Sequence, residues 1–114
     1  MASEKRGRVE DKAAIVTGAA SGIGEETAVR LAEEGSAVCV ADIDRDNGRR
    51  VVERIRESGG QAIFVATDIT KTAAIRRMIE RTVNAFGRLD ILHNNAIWFR
   101  HGSATELDLS LIHI

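Results

Sequence analysis

The chain has 114 residues, 44% hydrophobic and 29% charged, which suits one soluble globular domain with a real core. A formal net charge of -1 gives no general attraction to nucleic acid or to an anionic membrane surface. The single cysteine, Cys39, excludes an internal disulfide, and no apolar stretch is long enough to span a bilayer.

Residues 1–11 are polar and charged, without the apolar centre of a signal peptide, and are expected to form a flexible N-terminal arm. A reducing, cytoplasmic setting is the matching expectation. Residues 12–17 form the first predicted strand, apolar on both faces as in a parallel sheet covered by helices. The stretch Thr17-Gly18-Ala19-Ala20-Ser21-Gly22-Ile23-Gly24 follows and opens a helix predicted over 22–34. A helix start leaves about four N–H groups without partners and carries roughly half a positive charge. Glycines there let the chain turn sharply and let the backbone approach a phosphate with no Cβ between them. Gly24, Ala28, Leu31 and Ala32 recur at helical spacing as the buried side, and Gly35 stands where a left-handed cap is expected.

A second strand is predicted over 37–42, ending in Asp42. The helix over 45–58 carries Val51, Val52 and Ile55 on its apolar side and stops at Gly59-Gly60. A third strand over 61–66 leads through Thr67-Asp68-Ile69-Thr70 into a helix over 72–86. Its stripe is Ile75, Met78, Ile79, Thr82, Val83 and Phe86, and Gly87 ends it. The fourth strand is predicted over 89–93. Alternating strands and helices with short connections point to an α/β, Rossmann-like, doubly wound parallel sheet, its first four strands in the order 3-2-1-4 with flanking helices.

Asp42 stands eighteen positions beyond Gly24. An acidic residue about twenty positions past a glycine turn can accept hydrogen bonds from both hydroxyls of an adenosine ribose, and it repels a 2′-phosphate. The chain is therefore expected to select NAD over NADP. A solvated strand-end aspartate is the plainer alternative. Asp44 reinforces the negative sign and Arg45 softens it.

The glycine spacing is G-x-x-x-G-x-G, not the ordinary G-x-G-x-x-G. With Thr17 in front and Ile23 between the last two glycines, T-G-A-A-S-G-I-G resembles the cofactor motif T-G-x-x-x-G-I-G of the short-chain dehydrogenase/reductase family. Residues 89–96, L-D-I-L-H-N-N-A, resemble that family's L-D-x-L-V-N-N-A-G. The resemblance covers about 12–96. It implies cofactor binding by Gly18, Ser21, Gly22, Ile23 and Gly24 at the turn and by Asp42 and Ile43 at the end of the second strand. It further implies an Asp68 hydrogen bond to the adenine amino group and an Ile69 backbone contact. The plainer alternative for Asp68 is a turn residue at a helix entry. Asn94 would tie its strand to a neighbour, Asn95 would sit near the adenosine ribose, and Ala96 would be small because the cofactor passes close by. Two positions depart from the pattern: Ile97 replaces a glycine, and His93 replaces an apolar residue. Trp98, Phe99, Arg100 and His101 are expected to pack as a loop on the sheet edge, a substrate mouth being the alternative.

The family transfers a hydride between the nicotinamide ring and an alcohol or ketone, with a Tyr-x-x-x-Lys pair and a serine. This chain has no tyrosine, and Ser103 and Ser110 come too early to be that serine. No catalytic residue is assigned, and no metal ligand set is seen. Residues 103–108 are expected to open the next helix, capped by Ser103 or Thr105, whereas 109–114 leave the family pattern. The expectation is a truncated sequence. Residues 12–114 would be a partial NAD(P)-binding domain, inactive and marginal alone, with the fourth strand as an open, association-prone edge. A full-length parent would be a homo-oligomer acting on a small alcohol or ketone. The rival expectation is a complete, non-catalytic nucleotide-binding or interaction module that uses this edge for a partner.

Overall fold

The computed structural model describes residues 10–95. Strand β1 (Ala13–Thr17) is followed by helix α1 (Gly22–Glu33), β2 (Ala37–Asp42), α2 (Arg45–Glu57), β3 (Ala62–Ala66), α3 (Thr72–Phe86) and β4 (Ile91–Asn94). The four strands form one parallel sheet in the order β3-β2-β1-β4, a Rossmann-like arrangement and the predicted one. The register pairs Thr17 with Ala41 and with Asn94, and Asp42 with Ala66. The C-terminal ends of all four strands thus come level at one edge of the sheet.

Successive strand residues point to opposite faces, and each face is covered. On one side Val16, Val38 and Val40 pack with Ala28 and Val29 of α1 and with Val51, Val52 and Ile55 of α2. On the other, Ile15, Cys39, Ala41 and Leu92 pack against Met78 of α3. All five residues of β1 are buried, because this strand lies between neighbours and beneath helices.

The predicted elements need three corrections, two to helix stripes and one to a strand start. In α1, Gly24 and Ala28 are buried as expected, but Leu31 and Ala32 lie only at the margin of the core, and Val29 takes the central place. In α3, Val83 is 40% exposed because it falls beside Thr82 at the edge of the stripe. Thr82 itself is fully buried and donates its hydroxyl to the Met78 carbonyl at 2.8 Å, which satisfies it inside the core. Strand β4 ends at Asn94 and begins at Ile91, two residues later than expected, because Asp90 uses its carboxylate to accept from the Ala13 amide at 2.9 Å.

Gly35 has φ +100°, Gly59 +91° and Gly87 +83°, so all three helices stop at a left-handed residue where glycine carries no Cβ penalty. Among the described residues no helix is long and apolar enough to cross a membrane. The expectations for Ala96, Ile97, Trp98, Ser103, Thr105 and the tail over 109–114 lie outside the described residues, as does most of the N-terminal arm.

Candidate functional site

The turn between β1 and α1 is shaped by its glycines. Gly18 has φ +65° and Gly22 φ +59°, a region other residues rarely adopt. Gly24 is needed for a different reason. A Cβ there would stand 2.8 Å from the Asn95 Nδ2 and 2.8 Å from the Gly18 carbonyl carbon, and closer still to that carbonyl's oxygen. Helix α1 therefore starts tight against the strand end, and its first N–H groups open at the edge of the sheet. Ser21 occupies the cap position in extended conformation, and its side chain makes no cap hydrogen bond.

Asp42 joins two loops. Its Oδ2 accepts from the Ala20 amide at 2.9 Å, and its Oδ1 accepts from the Asp44 amide, also at 2.9 Å. The glycine turn and the entry to α2 are held by one carboxylate. Asp44 then caps α2, accepting from the Asn47 amide at 3.1 Å and the Asn47 side chain at 2.7 Å. Those bonds from Asn47 hold the Asp44 carboxyl below its ordinary value.

Thr17 performs a similar task on the other side. Its hydroxyl donates to Asn94 Oδ1 at 2.7 Å and accepts from the Asn95 amide at 3.0 Å. Asn95 in turn donates its Nδ2 to the Gly18 carbonyl at 3.4 Å. Asn94 ties β4 to β1 as expected, and Asn95 is fixed against the glycine turn.

Between these loops lies a groove of about 130 Å³, lined by Gly18, Ala41, Asp42, Ile43, Thr67, Asp68 and Ile69. Ile43 is 70% exposed beside it, an apolar side chain offered to solvent at the lip of a polar groove. Asp68 accepts from the Thr70 hydroxyl at 2.6 Å and the Thr70 amide at 3.0 Å, and these bonds hold its carboxyl below the usual value. Its turn role is real, since α3 begins only at Thr72, and the same residue lines the groove. A wider, open hollow of about 660 Å³ flanks α1 at Ile23, Thr27 and Leu31, but it contains neither strand-end carboxylate.

Sequence reading did not anticipate the cluster beside the turn. Glu25, buried in the first turn of α1, is gripped by two arginines of α2. Arg50 approaches its Oε1 to 2.9 Å and its Oε2 to 3.2 Å, and Arg54 approaches Oε2 to 2.7 Å. Arg50 also donates to the Ala20 carbonyl at 3.4 Å. Hydrogen bonding from Arg50 holds the Glu25 carboxyl below its ordinary value, although burial pushes the other way.

Of the predicted residues, Gly18, Asp42, Ile43, Asp68 and Ile69 share the groove. Ser21, Gly22, Ile23 and Gly24 form the adjoining helix start, and Asn95 rests on Gly18. Ala96 lies outside the described residues. Sequence reading missed the Thr17 hydroxyl, the Ala20 amide, Thr67 and Glu25. Thr17 was within the quoted motif and was the one with a legible signal. Among the described residues, no group of His, Cys, Asp and Glu is placed to hold a metal ion.

The residues present fit an adenine dinucleotide. Glycines at the turn and helix start (Gly18, Gly22 and Gly24) suit the approach of a diphosphate, a strand-end carboxylate suits ribose hydroxyls, and the groove's isoleucines suit a flat apolar ring. Comparison with known proteins agrees. The family model for short chain dehydrogenases matches residues 12–113. The dehydrogenase subunit BbsD of Thauera aromatica is 40% identical over 99 residues, which are 87% of this chain and 40% of the relative. A crystal structure of hydroxysteroid dehydrogenase from Escherichia coli superposes with TM-score 0.77 at 40% identity, covering 80% of this chain and 39% of that one. A 7α-hydroxysteroid dehydrogenase complexed with NADH and 7-oxo glycochenodeoxycholic acid gives TM-score 0.73 at 39% identity, covering 75% and 33%. The chain thus spans 40% or less of the length of these relatives.

Proposed function

The chain belongs to the short-chain dehydrogenase/reductase family, and from that premise we propose that it binds the adenosine diphosphate half of a nicotinamide dinucleotide, NAD in preference to NADP, as the cofactor-holding part of an oxidoreductase acting on an alcohol or ketone. The observation that carries this reading is the groove in which Gly18, Asp42 and Asp68 meet beside the start of α1.

The proposed roles follow from the chemistry of each group. The backbone N–H groups that open α1 receive the diphosphate, aided by the positive end of the helix. Asp42 receives the ribose hydroxyls. A carboxylate has about four acceptor positions, and two of those on Asp42 are taken by the Ala20 and Asp44 amides. Two remain for two hydroxyls, whereas a 2′-phosphate there meets a like charge. Ile43 and Ile69 flank the adenine, Asp68 takes its amino group, and Asn95 holds the turn from the β4 side. When bound, the nicotinamide supplies the carbon that accepts or gives the hydride. The proton transfer that accompanies it in this family needs a tyrosine, and the sequence has none. For these residues the proposal is therefore binding, and turnover of an alcohol or ketone belongs to the proposal for a longer parent.

Thermal unfolding of the chain with NAD, with NADP and with neither tests the proposal. A ligand of the folded state stabilises it by roughly 2.7 kcal/mol at a hundredfold excess over Kd. NAD is expected to raise the midpoint and NADP to leave it nearly unchanged. Asp42→Asn, which keeps one acceptor and loses the charge, is expected to erase the difference. Equal shifts by both cofactors in the unaltered chain would refute the preference; no shift by either would refute the binding.

A further inference from the structure

Glu25 is in an unexpected place for a phosphate site. It stands one residue beyond Gly24, in the first turn of the helix whose positive end would face a diphosphate. A bare carboxylate there offsets the helix dipole and repels the ligand. The structure surrounds it with two guanidinium groups, one of which also reaches the turn itself through the Ala20 carbonyl. Arg54 also reaches Glu26 at 3.3 Å, so two carboxylates face two guanidinium groups and the cluster is neutral overall. Both arginines come from α2 and keep roughly half of their side-chain surface exposed, so core burial does not account for them.

We propose that Arg50, supported by Arg54, is a positioning residue for the dinucleotide: it neutralises Glu25 beside the diphosphate site and tethers the glycine turn at Ala20. This rests on the cofactor reading above. Arg50 contributes through Glu25 and Ala20, both fixed next to groups that meet the ligand. Removing it leaves the buried Glu25 carboxylate with Arg54 alone, a partner shared with Glu26, so an excess of negative charge stands beside a doubly charged diphosphate.

The test is calorimetric titration of the full chain with NAD at about 0.05 M and about 0.5 M salt, between which the screening length falls severalfold. Arg50→Met is expected to weaken NAD roughly tenfold at low salt and less at high salt. Adding Glu25→Gln to it is expected to recover most of the loss, because the repelling charge is gone. Arg54→Met removes one charge without touching Ala20. It is expected to show a smaller loss with the same salt trend, and it decides the matter should Arg50→Met fail to fold. A folded Arg50→Met chain with unchanged affinity overturns the proposal. So does a loss that ignores salt and is not recovered by Glu25→Gln, as does Arg54→Met with wild-type affinity at both salts. A wild-type chain that unfolds cooperatively yet gives no NAD heat overturns the cofactor reading along with this one.

Discussion

Gly24→Ala is the sharpest probe of the site, because its effect follows from distances. The new Cβ would lie 2.8 Å from the Gly18 carbonyl carbon and 2.8 Å from Asn95 Nδ2. Carbon pairs settle at about 3.5–4.0 Å, so turn and helix must part by at least ~0.7 Å. The Asn95 side chain can swing aside, but the Gly18 carbonyl is backbone and cannot. Overpacking of this kind costs about 1–3 kcal/mol. At about 4–8 °C per kcal/mol for a domain of this size, the unfolding midpoint is expected to fall by roughly 10 °C. Gly59→Ala supplies the control. It meets nothing within 4 Å, has φ +91°, and lies at the far end of α2, so it costs about 1–2 kcal/mol of backbone strain alone. Titration with NAD separates the two variants: Gly59→Ala is expected to keep wild-type affinity, and Gly24→Ala to lose at least tenfold by a ~0.7 Å displacement of the turn. A Gly24→Ala chain that binds NAD as the wild type does would refute the reasoning, whatever its stability.

Thr17→Val keeps the shape of a buried side chain but leaves the Asn95 amide without its acceptor; urea titration is expected to show a loss of about 2 kcal/mol. Asp90 is drawn down to about 2, first by the Arg88 guanidinium and then by the Ala13 amide. Its folded value lies below its unfolded value, so its contribution is present above about pH 4 and lost as pH falls through about 2. After solvent screening it is about 1 kcal/mol, and Asp90→Asn should flatten acid unfolding measured over that window. Burial pushes the Cys39 thiol up to about 11, so a thiol reagent at pH 8 is expected to react only as fast as the chain opens, and urea should accelerate it. A Cβ at Gly48 would collide with the Phe64 ring; Gly48→Ala is expected to cost about 1–3 kcal/mol, and Phe64→Leu in the same chain should return most of it.

The sheet order and the glycine turn were legible because both are local or periodic. Strand–helix alternation limits the topology, and Thr17 to Gly24 carries its spacing in one short run. Asp42 was legible for the same reason, as a charged residue at the end of an apolar strand. The Glu25 cluster was not. Its partners lie 25 and 29 positions away, and an acidic helix turn facing basic residues looks like ordinary solvated surface until the two helices are docked. Val83 was misjudged because periodicity marks the centre of a stripe better than its margin. The start of β4 was misplaced because the Asp90 carboxylate, not its position in an apolar run, decides where the ladder begins.

The double grip of Asp42 bears on any effort to redesign this site. A designer wishing to exchange one dinucleotide for the other would begin at position 42 and replace the acid by something small or basic. That substitution also strips the Ala20 and Asp44 amides of their common acceptor, so the new specificity would arrive in a slackened scaffold. A successful exchange needs a compensating acceptor for those two amides installed together with the new charge, and libraries that vary position 42 by itself should return mainly weak binders.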